Sequence, residues 1–233
     1  MGLFSRRRDD DTSESSNPDD AASEAPAETG TGPWDVADAP DRPGSVGRID
    51  LGSLRVPAVD GMQIRLENPG GAGQEISAAV LVLAGSTLEL RAFAAPRTIG
   101  IWEELREDIT AELTRARARF EVEDGEHGPE ILAHVPVRTP DGREGTVAAR
   151  FIGVDGPRWF LRGVLQGPAA TDEAASQVLR GVFADIVVVR DGAARPPREI
   201  LPLHAPGIVN APAAEDLPGL EPLEPGPTIA EVR

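Results

Sequence analysis

Between Leu51 and Arg119 the apolar positions change period twice, and each change predicts an element. LGSLRVPAVDGMQIRLE (51–67) reads as two short strands around Asp60-Gly61, a hairpin-type turn signal. EISAAVLVLAG and STLELRAFAAP then form a second strand pair, with Leu88, Leu90 and Ala92 recurring at period two on one face. The period then lengthens. In GIWEELREDITAELTRARARF the residues Ile101, Leu105, Ile109, Leu113, Ala116 and Phe120 recur every three or four positions, as on a helix. Glu103, Glu104, Glu107 and Asp108 fill its early turns and Arg115, Arg117 and Arg119 its last, the order the helix dipole favours.

Alternation resumes in ARFEVEDGE, EILAHVPVR, TVAARFIGV and RWFLRGVLQG. The signals Asp141-Gly142 and Asp155-Gly156 between them predict hairpins and an antiparallel meander. Thr171 is expected to cap a second helix, with Ala175, Val178, Leu179, Val182, Phe183 and Ile186 as its apolar stripe. Near Val187 the β-branched run IVVV turns it into an extended segment, and RPPREILPL runs over the surface or adds an edge strand. The predicted class is α+β: a largely antiparallel sheet of about seven or eight strands with two main helices packed on it.

Charge divides the chain. Residues 1–44 carry 4 Arg against 11 acids, residues 45–209 carry 18 against 23, and residues 210–233 carry 1 against 5. The outer segments hold too little apolar area to offset their ordering entropy. The expected organisation is therefore a disordered acidic N-terminal segment (1–44), one α+β domain (45–209) and a disordered, proline-rich acidic tail (210–233).

Composition removes whole chemistries. All 23 basic residues are arginine, so a phosphate-loop lysine, a Schiff-base lysine and a pyridoxal phosphate linkage are excluded. No cysteine is present, which excludes a thiol nucleophile, disulfides, thiolate zinc sites and cysteine-held iron–sulfur clusters. No cofactor is expected. No apolar run of spanning length occurs, so no membrane span and a cytoplasmic location are expected. A net charge of −16 opposes nucleic acid at long range.

Candidate chemistry is sparse. His127 lies in EDGEHG beside Asp124 and Glu126, a loop that either holds a divalent metal or is a polar hairpin turn, the reading its spacing favours. His134 sits on the solvent side of a strand and His204 in the extended tail; neither Ser53 nor Ser86 has triad context. GGAG (70–73) precedes a strand and not a helix, which suits a loop better than a phosphate cradle. The helix carboxylates Glu103, Glu104, Glu107 and Asp108 read as a solvated face, answered by Arg106 and the later arginines.

The stretch RWFLR (158–162) is the distinctive one. In a strand, Arg158, Phe160, Arg162 and Val164 share one face while Trp159, Leu161, Gly163 and Leu165 share the core face, with Gly163 leaving room for a helix. Arg158, Phe160 and Arg162 are the candidate interaction surface: exposed, they would stack a base and meet phosphate. Covered, by the helices or by the segment around Trp34, the ring would be core and the arginine stems would lie along apolar surface.

GPWDVADAPD, IWEELREDI, RFIGVDGPRWFLRGVLQGPAA and VVVRDGAARPPREILPL together resemble a domain-of-unknown-function family of high-GC Gram-positive (actinobacterial) bacteria, over about Gly32 to Leu203. The layout is also similar to the PsbP and Mog1 type of α/β/α sandwich, whose members are largely binding or assembly factors, a resemblance that lowers the expectation of an enzyme. The expected function is a non-enzymatic cytoplasmic binding or assembly factor acting by protein–protein contacts with an unidentified partner. The alternatives are single-stranded nucleic-acid binding through the Arg/Phe face and, more remotely, a metal-dependent hydrolase near His127.

Overall fold

The computed structural model describes residues 32–40, 47–68, 75–96, 100–138 and 142–206. Its long strands are the segments that alternate in the sequence: β4 (Gln63–Glu67), β5 (Ala78–Leu83), β6 (Ser86–Ala94), β7 (Arg119–Gly125), β8 (Gly128–Arg138), β9 (Glu144–Gly156) and β10 (Trp159–Gln166). They form one seven-stranded sheet in the order β4-β5-β6-β10-β9-β8-β7, antiparallel at every pairing. Helices α1 (Ile101–Arg115) and α2 (Glu173–Ala184) are the two segments with helical periodicity. The architecture is thus α+β, with a second sheet that short segments build: β1 (Trp34–Asp35), β2 (Arg48–Asp50), β3 (Leu54–Pro57) and β11 (Val187–Val188), in the order β1-β11-β3-β2.

Strand pleating sends successive side chains to opposite faces, and each face of the large sheet has its own core. On one face Leu88, Leu90, Ala92, Ile152, Trp159, Leu161 and Leu165 meet Leu54 and Val56 of the small sheet and Leu179, Val182 and Phe183 of α2. On the other, Ile101, Trp102 and Leu113 of α1 cover Phe160, Ile131 and Ala133. Trp159 and Phe160 therefore point to opposite faces, as the alternation requires. Two glycines let the covers close. A Cβ on Gly163 would lie 2.9 Å from the Phe183 ring, and one on Gly153 would lie 2.5 Å from the Trp102 ring.

Several expectations need correction. The strands flanking Asp60-Gly61 are not a hairpin, because β3 belongs to the small sheet and β4 to the large one, and they face each other across the shared core. Six strands precede α1 where four were expected, the extra ones being too short to show a period. Residues 32–40 belong to the fold and not to a disordered segment: β1 runs parallel to β11, and Trp34 N–H donates to the Ile186 carbonyl at 2.9 Å. The rest of 1–44, apart from these nine positions, the GGAG loop and the tail 210–233 lie outside the described residues.

The first helix stops at Arg115, where Arg117 takes a φ of 55° and turns the chain so that Phe120 enters β7. The second helix is capped by Asp172 and not by Thr171: the Asp172 carboxylate accepts from Ala175 N–H at 2.9 Å. Thr171 instead ends the 3-10 turn Gly167–Ala170. Its stripe also shifts, with Ser176 buried and Val178 half exposed. The segment after β11 does lie on the sheet, since Leu201 and Leu203 are buried and Ile200 bridges Phe93.

Candidate functional site

The RWFLR stretch is not the surface expected. Gly156 pairs with Trp159 at the end of the β9–β10 hairpin, so Pro157 and Arg158 form its two-residue turn. Arg158 has a φ of 69°, which puts it outside the strand and off the alternation. Phe160 is fully buried. Its ring stacks on Trp102 and on Phe93, each at 5.8 Å between centroids, and α1 rather than the Trp34 segment covers it. Trp34 and Asp35 serve the opposite face, where the Asp35 carboxylate accepts from the Trp159 indole N–H at 2.8 Å. Arg162 is mostly buried beside Glu89, which accepts from it at 3.1 Å, and its guanidinium sits over the Phe93 ring. Burial lowers the Arg162 pKa, and Glu89 opposes the shift. Arg158, Phe160 and Arg162 therefore do not make one exposed surface, and no ring is free there to stack a base.

The column of rings is instead structural. Arg106 lies over Trp102 at 6.0 Å and Arg162 over Phe93 at 5.8 Å, so a guanidinium closes each end of a Trp102–Phe160–Phe93 stack. Asp155, one strand over, accepts from Trp102 N–H at 3.3 Å, within the first turn of α1. Gly100 offers that helix no side-chain cap, so the strand supplies an acceptor at its positive end.

The site with concave shape and concentrated charge lies elsewhere. A cleft of about 410 Å³ opens between the β7–β8 hairpin and the start of α2. Glu123 and Glu130 face the cleft from neighbouring strands because they are cross-strand partners in the β7–β8 ladder, and Arg150 joins them from β9. Asp172, Glu173 and Arg180 come from α2 and its cap. Six carboxylates and two guanidiniums line it, a net of four negative charges.

At the floor, Glu130 is only 2% exposed, and each of its oxygens accepts from Arg180 at 2.7 Å. Arg150 reaches the same carboxylate at 3.4 Å, donates to Glu123 at 2.7 Å and donates to the Ala170 carbonyl at 3.0 Å. The bidentate pairing raises the Arg180 pKa. A buried charge needs such partners, and this one is tied to three strands and the second helix. Asp124, Glu126, Asp172 and Glu173 form an outer rim, all of them exposed. A second hollow of about 760 Å³ continues along α2 past Gln177 and Gly181 and shares Glu126, Asp172, Glu173 and Arg180 with the first.

His127 sits in the turn between β7 and β8, as expected of EDGEHG. Its ring packs on Phe183 of α2 at 5.4 Å, and its Nε2 is buried with no hydrogen-bond partner. Among the described residues no three His, Asp or Glu side chains are grouped to hold a metal ion. His134 is exposed, as its strand position implies. His204 Nδ1 meets the Ala205 carbonyl at 3.0 Å, and Nε2 is 3.9 Å from Asp50. Ser53 donates to the Pro202 carbonyl and Ser86 accepts from Ala169 N–H, so both hydroxyls serve the fold. Glu104 and Asp108 of α1 are exposed, and the arginine that answers them is Arg198 of the C-terminal segment, at 2.7 and 3.0 Å, rather than one on the same helix.

Glu130, Arg150 and Arg180 were not among the residues singled out from the sequence. One signal was available: Arg150 shares its face with Ile152 and Val154, so a charge stands at an apolar register position and requires a buried counter-charge.

These elements define an α+β protein whose charged cleft is framed by a hairpin and a helix start. The chain belongs to the family described as "Protein of unknown function (DUF3710)", whose model matches residues 32–211. No curated protein matches it. Among solved structures it is similar to the cyanobacterial PsbP (CyanoP) of Synechocystis sp. PCC 6803, at 14% identity and a TM-score of 0.35, over 64% of this chain and 98% of that one. Among the described residues no helix is long and apolar enough to cross a membrane.

Proposed function

We propose that this protein is a non-enzymatic binding or assembly factor that works by protein–protein contact, and that its cleft receives a basic segment of the partner. The carrying observation is the division of charge in the cleft. The inner carboxylates Glu123 and Glu130 are engaged by Arg150 and Arg180, while the outer carboxylates Asp124, Glu126 and Glu173 face solvent. A rim of this sign favours a guanidinium or ammonium group and repels nucleic acid. Both oxygens of the buried glutamate accept from Arg180, an arrangement that suits a fixed anchor better than a general base. The cytoplasm is the proposed setting, in keeping with a sequence that contains no cysteine.

The test is fluorescence anisotropy with a labelled arginine-rich peptide and an acidic counterpart of equal length, at low and high salt. Asp124→Asn/Glu126→Gln/Glu173→Gln is compared with Glu103→Gln/Glu107→Gln/Glu112→Gln, which removes the same charge from α1. The expected result is saturable, salt-sensitive binding of the basic peptide that weakens at least tenfold in the cleft variant alone. Equal weakening in both variants, or no saturable binding, overturns the proposal.

A further inference from the structure

We propose that His127 is a pH-sensitive latch: its neutral ring holds the β7–β8 turn against α2, and protonation releases that turn and opens the wall of the cleft. The geometry is specific. The imidazole packs on Phe183, itself fully buried, and presents a buried Nε2 that has no hydrogen-bond partner. A neutral ring tolerates this, since an unprotonated nitrogen is only an unused acceptor. An imidazolium must donate from both nitrogens, and a buried charged donor without an acceptor is costly.

The charged groups that face the ring are Glu126 of its own turn, Glu130 of β8 and Arg180 of α2. Glu126 is exposed to solvent, and the buried Glu130 already takes bonds from Arg180 on both of its oxygens at 2.7 Å. Arg180 adds a like charge on the helix side. Burial lowers the His127 pKa from its ordinary 6.5, with Glu126 and Glu130 opposing and Arg180 reinforcing the shift.

The closed turn thus binds fewer protons than the open one, so opening takes up a proton and acid favours it. Well above pH 6.5 both forms are neutral and the equilibrium is flat. As pH falls below that value the opening constant rises, by at most tenfold per pH unit, and it levels off beneath the closed-state pKa. Gly128 beside the ring has a φ of 97°, a backbone conformation that glycine supplies without strain.

Hydrogen exchange read by mass spectrometry on the full chain at pH 7.5 and 5.5, with times scaled for the intrinsic chemical rate, tests this. Expected is a severalfold loss of protection in peptides spanning residues 119–130 at the lower pH. His127→Phe, which keeps a ring against Phe183 and cannot titrate, should abolish the response, while His134→Gln should leave it intact. Histidine Cε1–H titration by NMR on the wild-type chain provides a reading that depends on no variant, with the His127 pKa expected below 6.5. Unchanged protection, a response that survives in His127→Phe, or a His127 pKa at or above 6.5 overturns the proposal. These readouts use no peptide ligand, so their failure is distinct from failure of the binding reading.

Discussion

Arg180→Met is the perturbation that tests the cleft floor most directly. It removes both 2.7 Å hydrogen bonds to a carboxylate that is 2% exposed, leaving Glu130 only the 3.4 Å contact with Arg150. Breaking a buried pair by deleting one partner costs about 3–5 kcal/mol, because the remaining charge is stranded. Arg180 itself is 20% exposed and Arg150 stays in place, which sets the expectation at the lower end, about 3 kcal/mol. For a chain of this size that is a fall of roughly 6–12 °C in Tm.

The companion variants give the reasoning its edge. Glu130→Met leaves an arginine that can turn toward the solvent in the cleft, and should cost about 1–2 kcal/mol. Combining the two removes the stranded charge, so the double variant should be more stable than Arg180→Met alone, with a coupling energy of about 2 kcal/mol. Urea unfolding followed by circular dichroism and tryptophan fluorescence, with coincident transitions as the two-state check, measures all three. A cost below 1 kcal/mol for Arg180→Met, or a double variant less stable than that single one, would refute the stranded-charge account.

Gly153→Ala places a methyl 2.5 Å from the Trp102 ring and 2.9 Å from that of Phe160, neither of which can yield without moving α1; a loss of about 1–3 kcal/mol and a red-shifted tryptophan emission are expected. Arg158→Gly should stabilise by about 0.5–1 kcal/mol in thermal unfolding, since φ 69° is strained for arginine and its backbone carbonyl still accepts from Ala95 N–H. Asp172→Ala removes the acceptor of Ala175 N–H and should cost about 1 kcal/mol by urea titration, whereas Thr171→Ala should change little.

Much of the fold was legible because its large elements are long enough to show a period. β5 and β6, the meander from β7 to β10 and both helices each repeat their pattern at least twice. What escaped were β1 and β2, two and three residues long, where no period can exist, and the pairing of β11, whose extended conformation the β-branched run did announce. Their partners are also distant in sequence: β11 joins β1 and β3 across more than a hundred residues, so no local turn chemistry announces the pairing. The Asp60-Gly61 turn misled for a related reason. Its letters specify a reversal of the chain, and a reversal serves equally well to cross from one sheet to the other.

The site was less legible, and the centre of the sheet shows why. α1 and α2 pack on opposite faces at offset positions, one over β7 to β10 and the other over the half that contains β6 and β10. β10 is the fourth of seven strands and lies beneath both covers, so its residues are buried on either side apart from Arg162 and the terminal Gln166. A strand covered on both faces loses the alternation that would reveal which side meets solvent. Arginines at 158 and 162 then look like the rim of an exposed platform, although one occupies the hairpin turn and the other lies against Phe93 and Glu89. The offset has a second effect. Near β7 to β9 the face that carries Trp159 passes out from under the small sheet, and polar positions there must find partners of their own. Glu123, Glu130 and Arg150 stand on the stretch that the small sheet leaves, where Arg180 of α2 closes over Glu130 and completes the set. The charged cleft therefore follows from where the second cover stops.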